Sequence, residues 1–176
     1  MCSSDLSPSR FDFKKLANIS GQHIARAPDE ELLWELESYL EASNKPTLAE
    51  SQRIAFLAGV YCVKSHAKTM GELFQKSSFM LNVRPILMDD KAQQNLNSNS
   101  ANLLKDLTRQ LQGVSWDRLS LEEVVKVLAQ SQNMKMGELA APIRSALSGR
   151  VASPSIFDMM LVLGREETVA RIDDIG

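Results

Sequence analysis

The sequence predicts an all-α fold, made of two small helical subdomains with no substantial sheet. Apolar residues recur at the three- to four-residue spacing of one helix face along most of the chain. No segment shows the sustained two-residue alternation between turn signals that is typical of strands. Three segments also match the capping box, in which a hydroxyl and a carboxylate satisfy the free amides of a first helical turn: Thr47–Glu50, Thr69–Glu72 and Ser120–Glu123.

The first helical group is predicted over residues 29–85. Pro28, followed by two acidic residues, is typical of a helix start, because proline fits the first turn and acidic side chains favour its positive end. A leucine stripe at helical spacing follows: Leu32, Leu33, Leu36 and Leu40. Further helices are predicted from Thr47 and Thr69. The group ends at Val83-Arg84-Pro85, because a residue before proline is pushed out of helical geometry.

The second helical group is predicted over residues 86–176. Residues 93–102 are rich in weak helix formers, which predicts a frayed or broken helix. Trp116 is interpreted as a core anchor rather than a base-stacking platform, since it precedes an amphipathic helix. That helix is predicted from Ser120 and carries an apolar stripe: Leu121, Val124, Val125 and Leu128.

The end of the chain predicts three short helices separated by glycines. A helix carrying Pro142 runs to a glycine stop at Gly149. Ser153 as N-cap and Pro154 as the first helical residue then predict a second helix. Gly164 breaks that helix before a charged last segment.

Composition indicates a protein of the reducing cytoplasm. Cys2 and Cys62 are too few and too far apart for a disulfide framework or a zinc site. No apolar run approaches the roughly 18 residues of a membrane span, and the polar N-terminus has no apolar signal region. The net charge of −2 conceals an acidic N-terminal part and a basic middle. A basic middle fits contact with a polyanion, although solvated surface produces the same imbalance.

The sequence lacks the motifs of common catalytic and metal sites. Neither a phosphate-binding Gly-x-x-x-x-Gly-Lys-Ser/Thr, nor Gly-x-Gly-x-x-Gly, nor a Gly-x-Ser-x-Gly elbow occurs. His23 and His66 are too far apart in sequence for a His-x-x-x-His metal motif. The carboxylates of Asp89-Asp90 and Asp173-Asp174 are adjacent, so neither pair shares one helix face. We therefore predict no catalytic residue and no metal ligand in this chain.

One constellation near the C-terminus suits the reading of an RNA base. Arg144 offers a planar fork of donors, and Ser153 at a helix start leaves backbone amides open to an oxygen atom. Pro154, Ile156 and Phe157 add apolar faces against which an unstacked base can rest. The alternative is a structural role, with a capping serine and with the arginine paired to a carboxylate: Glu138 or Asp158.

From Arg10 onward the chain resembles the C-terminal, anticodon-binding region of a bacterial glutamyl-tRNA synthetase, a class I glutamate–tRNA ligase. Residues 10–24 follow the family's FD-x-x-KL-x-x-x-N-x-x-x-I segment. Later motifs follow its last domain in order: Trp116, Leu121–Val127, Lys135–Gly137, Pro142–Arg144, Leu147–Gly149, Ser153-Pro154, Phe157 and Leu163–Glu167. The ATP-binding His-Ile-Gly-His and KMSKS signatures of the family are absent, so the resemblance implies an enzyme truncated at its N-terminus.

The resemblance implies that the helices form a two-part cage around a tRNA anticodon. It implies that a set of residues near the C-terminus contacts anticodon bases: Arg144, Ser153, Pro154, Ile156 and Phe157. A catalytic domain outside this chain would use ATP and Mg²⁺ to attach glutamate to tRNA. We therefore expect tRNA recognition without catalysis by this chain alone, no cofactor held by it, and a monomeric intact enzyme.

His66 departs from the family pattern, which often carries an arginine at the matching position. That arginine is associated with a demand for cytosine as the last anticodon base. A largely neutral imidazole offers one donor and one acceptor instead of a charged fork, so we predict that the parent enzyme also accepts glutamine tRNA. The alternative is an exposed histidine without a base contact. Four basic residues are assigned as candidate phosphate contacts: Lys64, Lys68, Lys135 and Arg150. Lys76 is also considered for this role, and the alternative for Lys64, Lys68 and Lys76 is solvated surface.

A different class of function stays open at this point, namely a free-standing helical module that binds tRNA or a protein partner. Residues 1–28 are predicted to be a non-native or disordered start joined to the end of a region that contacts the tRNA stem. We assign the non-native part to residues 1–6, because their codons can spell a sequencing-adapter string. Finding those codons in contiguous genomic DNA of the source would refute this assignment.

Overall fold

The computed structural model describes the backbone of residues 13–175 and the side chains of residues 20–175. Within that range it contains helices and turns but no strand, so the all-α prediction is confirmed. The α-helices are α1 Phe13–Arg26, α2 Asp29–Ala42, α3 Glu50–Gly59, α4 Met70–Leu81, α5 Asp90–Gln94, α6 Ser98–Leu111, α7 Arg118–Ser131, α8 Met136–Ser148 and α9 Ile156–Asp173. Two 3-10 turns, Val60–Cys62 and Lys64–His66, lie between α3 and α4.

Two predictions fall outside this range. The non-native start at residues 1–6 lies outside the described backbone. Of the family-like segment at residues 10–24, the side chains of residues 10–19 lie outside the described range. None of the described helices combines the length and the apolar character needed to cross a membrane.

The first helical group consists of α1–α4 and the two 3-10 turns. α2 begins after Pro28, as predicted, and buries one leucine stripe: Leu32, Leu36 and Leu40. α4 begins at its predicted N-cap, where Thr69 Oγ1 accepts the amide of Glu72 at 3.1 Å. α1 packs against the second 3-10 turn. Lys64 of that turn reaches Asp29 at the start of α2, with Nζ 2.7 Å from Oδ1.

The predicted start of α3 at Thr47 is wrong by a few residues. The helix begins at Glu50, with Ala49 as its N-cap. The side chain of Gln52 accepts the amide of Ala49 at 2.8 Å and closes the first turn there. The capping function that the pattern predicts for Thr47 and Glu50 is therefore performed by a glutamine in the third helical position.

The predicted start of α7 at Ser120 is also wrong, because the helix begins at Arg118 with Asp117 as its N-cap. The Asp117 carboxylate accepts the amide of Ser120 at 3.0 Å and its hydroxyl at 2.8 Å. An ionised carboxylate is a stronger acceptor than a hydroxyl, so it captures the free amide one turn earlier.

The second helical group consists of α5–α9. The predicted broken helix is confirmed, because α5 ends at Gln94 and α6 restarts after Asn97, whose side chain accepts the amide of Ser100 at 3.0 Å. The predicted core anchor is also confirmed. Trp116 is half-buried against the core and donates from Nε1 to the carbonyl of Met160 at 3.1 Å.

α9 connects the two groups, since it packs against α3 and α4 as well as α6, α7 and α8. The predicted break is confirmed at Gly164, where φ is 75° and the helix axis kinks. Buried apolar side chains form one core cluster across both groups. The division into subdomains at residues 85 and 86 stays a prediction.

Candidate nucleic-acid interface

A cleft of about 430 Å³ brings together residues from both helical groups. One wall comes from the 3-10 turns and α4, and the other from the loop before α9 and its first turn. The lining residues are Cys62, Val63, His66, Lys76, Ser153, Pro154, Ser155 and Asp158. A larger cavity of about 510 Å³, between α3, α4 and α9, is lined by none of the predicted site residues. The smaller cleft is therefore the candidate site.

The path of the loop before α9 is fixed by Gly149, at the end of α8. Its φ of 70° is the left-handed conformation that favours glycine, so the predicted helix stop is confirmed. Its carbonyl oxygen accepts the amide of Asp89 at 3.0 Å. The hydroxyl of Ser148 donates to the carbonyl of Arg144 at 2.8 Å and accepts the amide of Arg150 at 3.3 Å. These hydrogen bonds fix the direction of the backbone between the end of α8 and the cleft.

α9 begins two residues later than predicted. Its N-cap is Ser155 rather than Ser153, and Pro154 lies in the loop. The Ser153 hydroxyl lies 3.3 Å from the carbonyl oxygen of Pro154, so it is directed away from the amides of the helix. The side chain of Ser155 accepts no amide either. The first amides of α9, at residues 156–158, are therefore left without a capping side chain at the edge of the cleft.

His66 and Lys76 supply the polar side chains of the opposite wall. His66 is exposed at the end of the second 3-10 turn, and its amide donates to Val63 at 3.0 Å. Lys76 is half-buried on α4. Neither side chain forms an ion pair within residues 20–175. Both are open to a ligand.

Arg144 lies on α8 and is half-buried, but it does not line the cleft. Its guanidinium pairs with no carboxylate in the part of the chain that the structure describes. Glu138 accepts the amide of Lys135 at 2.9 Å, and Asp158 is paired with Arg118. The structural alternative, an ion pair from Arg144 to Glu138 or Asp158, is therefore not observed.

Neither Ile156 nor Phe157 is among the residues that line the cleft. Ile156 is only 3% exposed and belongs to the core, while Phe157 is half-buried against the same core. A buried side chain offers no surface to a base, so the predicted base contact of Ile156 is not available in this conformation. The side chain instead holds the start of α9 in place.

Among the four candidate phosphate contacts, Lys64 is already engaged. Its Nζ donates to Asp29 at 2.7 Å and to the carbonyl of Ala27 at 3.3 Å, which ties down the turn that carries His66. The other three form no ion pair with a described residue: Lys68, Lys135 and Arg150.

The cleft offers recognition groups rather than a nucleophile. Burial, with a smaller contribution from Asp158, raises the pKa of Cys62 to about 11, so its thiol stays protonated at neutral pH. The thiol donates to the carbonyl of Gly59 at 3.0 Å. What remains is a hydrogen-bonding site with one carboxylate, one imidazole, one ammonium group and free helix amides.

Sequence reasoning missed four lining residues: Cys62, Val63, Ser155 and Asp158. The last two had a signal, because they border Ser153-Pro154 and lie at the start of one helix, where free amides concentrate. Cys62 and Val63 had none, since only the tertiary fold brings this segment to the cleft.

A histidine–carboxylate cluster lies away from the cleft, between α1 and α2. Candidate ligand atoms of His23, Glu31 and Glu35 all lie within 4.8 Å of one another. His23 Nε2 is 2.7 Å from Glu35 Oε1, and this hydrogen bond is the main cause of a raised pKa of His23. A surface ion pair between the two helices accounts for the cluster, and we assign no metal to it.

A sequence family is matched over most of the chain. The family described as anticodon binding domain matches residues 30–175, a range that includes the whole cleft. The chain is 50% identical over 168 residues to glutamate–tRNA ligase 2 of Ruegeria pomeroyi and 46% identical to glutamate–tRNA ligase 1 of Jannaschia sp.. Each alignment covers 96% of this chain and 36% of the relative, so the chain spans about a third of their length.

Solved structures show the same fold. A crystal structure of a glutamate tRNA ligase from Elizabethkingia meningosepticum matches with a TM-score of 0.70 and 23% sequence identity, over 91% of this chain and 31% of that chain. A second, from Elizabethkingia anophelis, matches with a TM-score of 0.67. With a family match over residues 30–175 and this shared helical fold, the chain belongs to the anticodon-binding domain family.

Proposed function

We propose that this chain binds the anticodon loop of tRNA as the C-terminal part of a glutamate–tRNA ligase. The observation that carries the proposal is the cleft, in which His66 of the first helical group meets Ser153 and Pro154 of the second. All three were chosen from the sequence for contact with an anticodon. Family membership and 50% identity to a glutamate–tRNA ligase support the choice of ligand.

The start of α9 gives the cleft a place for an oxygen atom of the loop. Its first amides lack a capping side chain, and the positive end of the helical segment before the kink at Gly164 favours a phosphate or carbonyl oxygen. Pro154 offers an apolar face beside them, and unstacked loop bases pack on such faces while their edges are hydrogen-bonded.

Arg144 acts on the same ligand from outside the cleft. Its guanidinium has no carboxylate partner among the described residues, and it can donate two parallel bonds to a base edge or a phosphate. Ile156 in the core and Phe157 packed against it hold the start of α9 in place. The loop phosphates are assigned to the unpaired basic residues: Lys68, Lys135 and Arg150.

In this proposal the remainder of the ligase supplies the chemistry. It would bind ATP and Mg²⁺ and attach glutamate to the tRNA, for which this sequence carries no signature motif. Residues 29–85 and 86–176 would form the two halves of the anticodon cage, and residues up to 28 would lead to the stem-contacting part. The intact enzyme would act as a cytoplasmic monomer on glutamate tRNA, and on glutamine tRNA as well.

Replacing Arg144 with alanine should weaken binding of a glutamate-tRNA anticodon stem-loop by about 10- to 100-fold, the range for losing one bidentate arginine contact to a base. The measurement is a titration of this chain with labelled stem-loops at low and moderate salt, since phosphate contacts alone weaken as salt rises.

Arg109→Ala serves as the matched control, because Arg109 is exposed on α6 and paired with Asp106 at 2.7 Å. It should leave the affinity within about twofold. Equal effects of the two substitutions, or binding that ignores loop sequence, would contradict the proposal and favour a helical module that binds a protein partner.

Replacing His66 with arginine should sharpen selectivity at the last anticodon base. The wild-type imidazole is expected to bind loops ending in C and in G with similar affinity. A charged fork at the same place should raise the C-to-G affinity ratio by about tenfold, within the discrimination of one bidentate contact. His66→Gln keeps a neutral side chain and is the control. An unchanged ratio in the arginine variant would show that His66 makes no base contact.

A further inference from the structure

Among the residues that line the cleft, Asp158 is the acidic one. A carboxylate repels the phosphates of a nucleic acid, so its place in a tRNA-binding cleft needs a physical reason. Its side chain keeps 24% exposure in the first turn of α9 and lines the cleft.

Arg118 holds this carboxylate in one orientation. The Arg118 guanidinium, at the start of α7, donates to Asp158 Oδ1 and also lies 3.2 Å from the carboxylate of Glu122. The other oxygen, Oδ2, receives no hydrogen bond from any side chain or amide of residues 20–175. Arg118 therefore offsets part of the charge of Asp158, and this lining carboxylate keeps one oxygen without a donor among residues 20–175.

A free carboxylate oxygen distinguishes amino groups from carbonyl groups. It only accepts hydrogen bonds, so it complements the exocyclic amino group of cytosine or adenine. The carbonyl that replaces this group in uracil or in hypoxanthine would place oxygen lone pairs against the carboxylate. Arg118 offsets the repulsion between this carboxylate and the phosphates. The interaction of the free oxygen with the base edge is then the one that discriminates between bases.

The geometry points to Asp158 as a specificity residue that accepts the exocyclic amino group of one anticodon-loop base, with Arg118 as its positioning residue. This inference rests on the proposed function, because it names the base chemistry that the same cleft selects. The opposite wall carries His66 and Lys76, whose ring N–H and ammonium group can donate to the ring nitrogen and carbonyl of a cytosine edge.

The test compares anticodon stem-loops that differ by one functional group. Cytidine is exchanged for uridine, and adenosine for inosine, at each anticodon position in turn, and each loop is titrated with the wild-type chain and with Asp158→Asn. Wild type should prefer the amino base by about tenfold or more at one position. Asp158→Asn should remove or invert that preference, because an amide can also donate to a carbonyl oxygen.

Two further variants separate recognition from support of the fold. Glu122→Gln removes the other carboxylate beside Arg118 without changing a lining residue, and should leave the amino-to-carbonyl ratio unchanged. Asp158→Ser suits the first turn of a helix and lacks the carboxylate, so it should lose the ratio even if the asparagine variant folds poorly.

The inference is overturned if Asp158→Asn and Asp158→Ser weaken all loops equally, because that result describes a brace between α7 and α9. It is also overturned if every amino-to-carbonyl ratio stays within twofold of wild type. If the wild-type chain binds no loop even at low salt, the proposed function fails and the inference falls with it. If binding depends on Arg144 but no ratio depends on Asp158, only the inference fails.

Discussion

Replacing Arg171 with leucine is expected to lower the free energy of unfolding by about 4 kcal/mol, because buried carbonyl groups lose their donors. Arg171 is 2% exposed. Its Nη1 lies 2.6 Å from the carbonyl oxygens of both Phe79 and Leu147, and its Nη2 lies 3.1 Å from that of Asn82. These carbonyls belong to the ends of α4 and α8, where a helix offers them no partner.

The charge of Arg171 is compensated within the same helix. Burial lowers the pKa of its guanidinium, and the carboxylate of Glu167, 2.7 Å from Nε, acts in the opposite direction. Leucine fills part of the volume but leaves Glu167 without this partner. Because Arg171 joins α4 to α8, its loss should also loosen the two walls of the cleft relative to each other.

Urea unfolding followed by far-ultraviolet circular dichroism measures the Arg171→Leu effect. Arg171→Lys keeps a charge but not the planar fork, so it should retain part of the stability. Arg109→Ala, on an exposed and locally paired arginine, should change the free energy of unfolding by less than about 0.5 kcal/mol. A loss below about 1 kcal/mol for the leucine variant would show that water satisfies these carbonyls instead.

The sequence correctly predicted the helix boundaries that depend on neighbouring residues alone. The start of α2 after Pro28, the cap of α4 at Thr69 and the kink at Gly164 each depend on residues within one or two turns. The start of α3 was wrong because Gln52 closes the first turn at Ala49, a few residues from the Thr47–Glu50 capping box that the sequence predicted. Sequence alone does not rank such neighbours, since their energies differ by less than the packing of the helix.

The candidate site was predictable in part. The resemblance selected His66, Ser153 and Pro154, and the structure places all three on one cleft. It did not show that Ile156 is buried, because residue type and spacing are the same for a core isoleucine and for one that touches a base. The burial of Arg171 was not predictable from the sequence either. Glu167 precedes Arg171 by four residues, so the two resemble a surface ion pair on one helix face. Only the tertiary packing buries Arg171.

Replacing Gly149 with alanine is expected to lower the free energy of unfolding by about 3 kcal/mol and to weaken stem-loop binding. Its φ of 70° costs a side chain about 1–2 kcal/mol. An added Cβ would also lie 2.2 Å from the carbonyl oxygen of Leu87 and 3.0 Å from the side chain of Ile86. Overpacking of this kind adds about 1–3 kcal/mol, and relief requires the loop before α9 to move.

Two other glycines separate these causes. Gly164 has nothing within 4 Å of an added Cβ, so Gly164→Ala should show backbone strain without overpacking. Its φ of 75° is combined with a ψ of 172°, so this strain belongs to a different backbone region from that of Gly149. Gly137 lies in the first turn of α8, also with open space around it, so Gly137→Ala should be neutral or slightly stabilising. Because Gly149 directs the chain toward Ser153, Gly149→Ala should lower affinity as well as stability, measured by urea unfolding and stem-loop titration on the same samples. A stability loss at Gly149 of only about 1–2 kcal/mol, the cost of its φ alone, would mean that the contact with Leu87 relaxes freely and does not fix the loop.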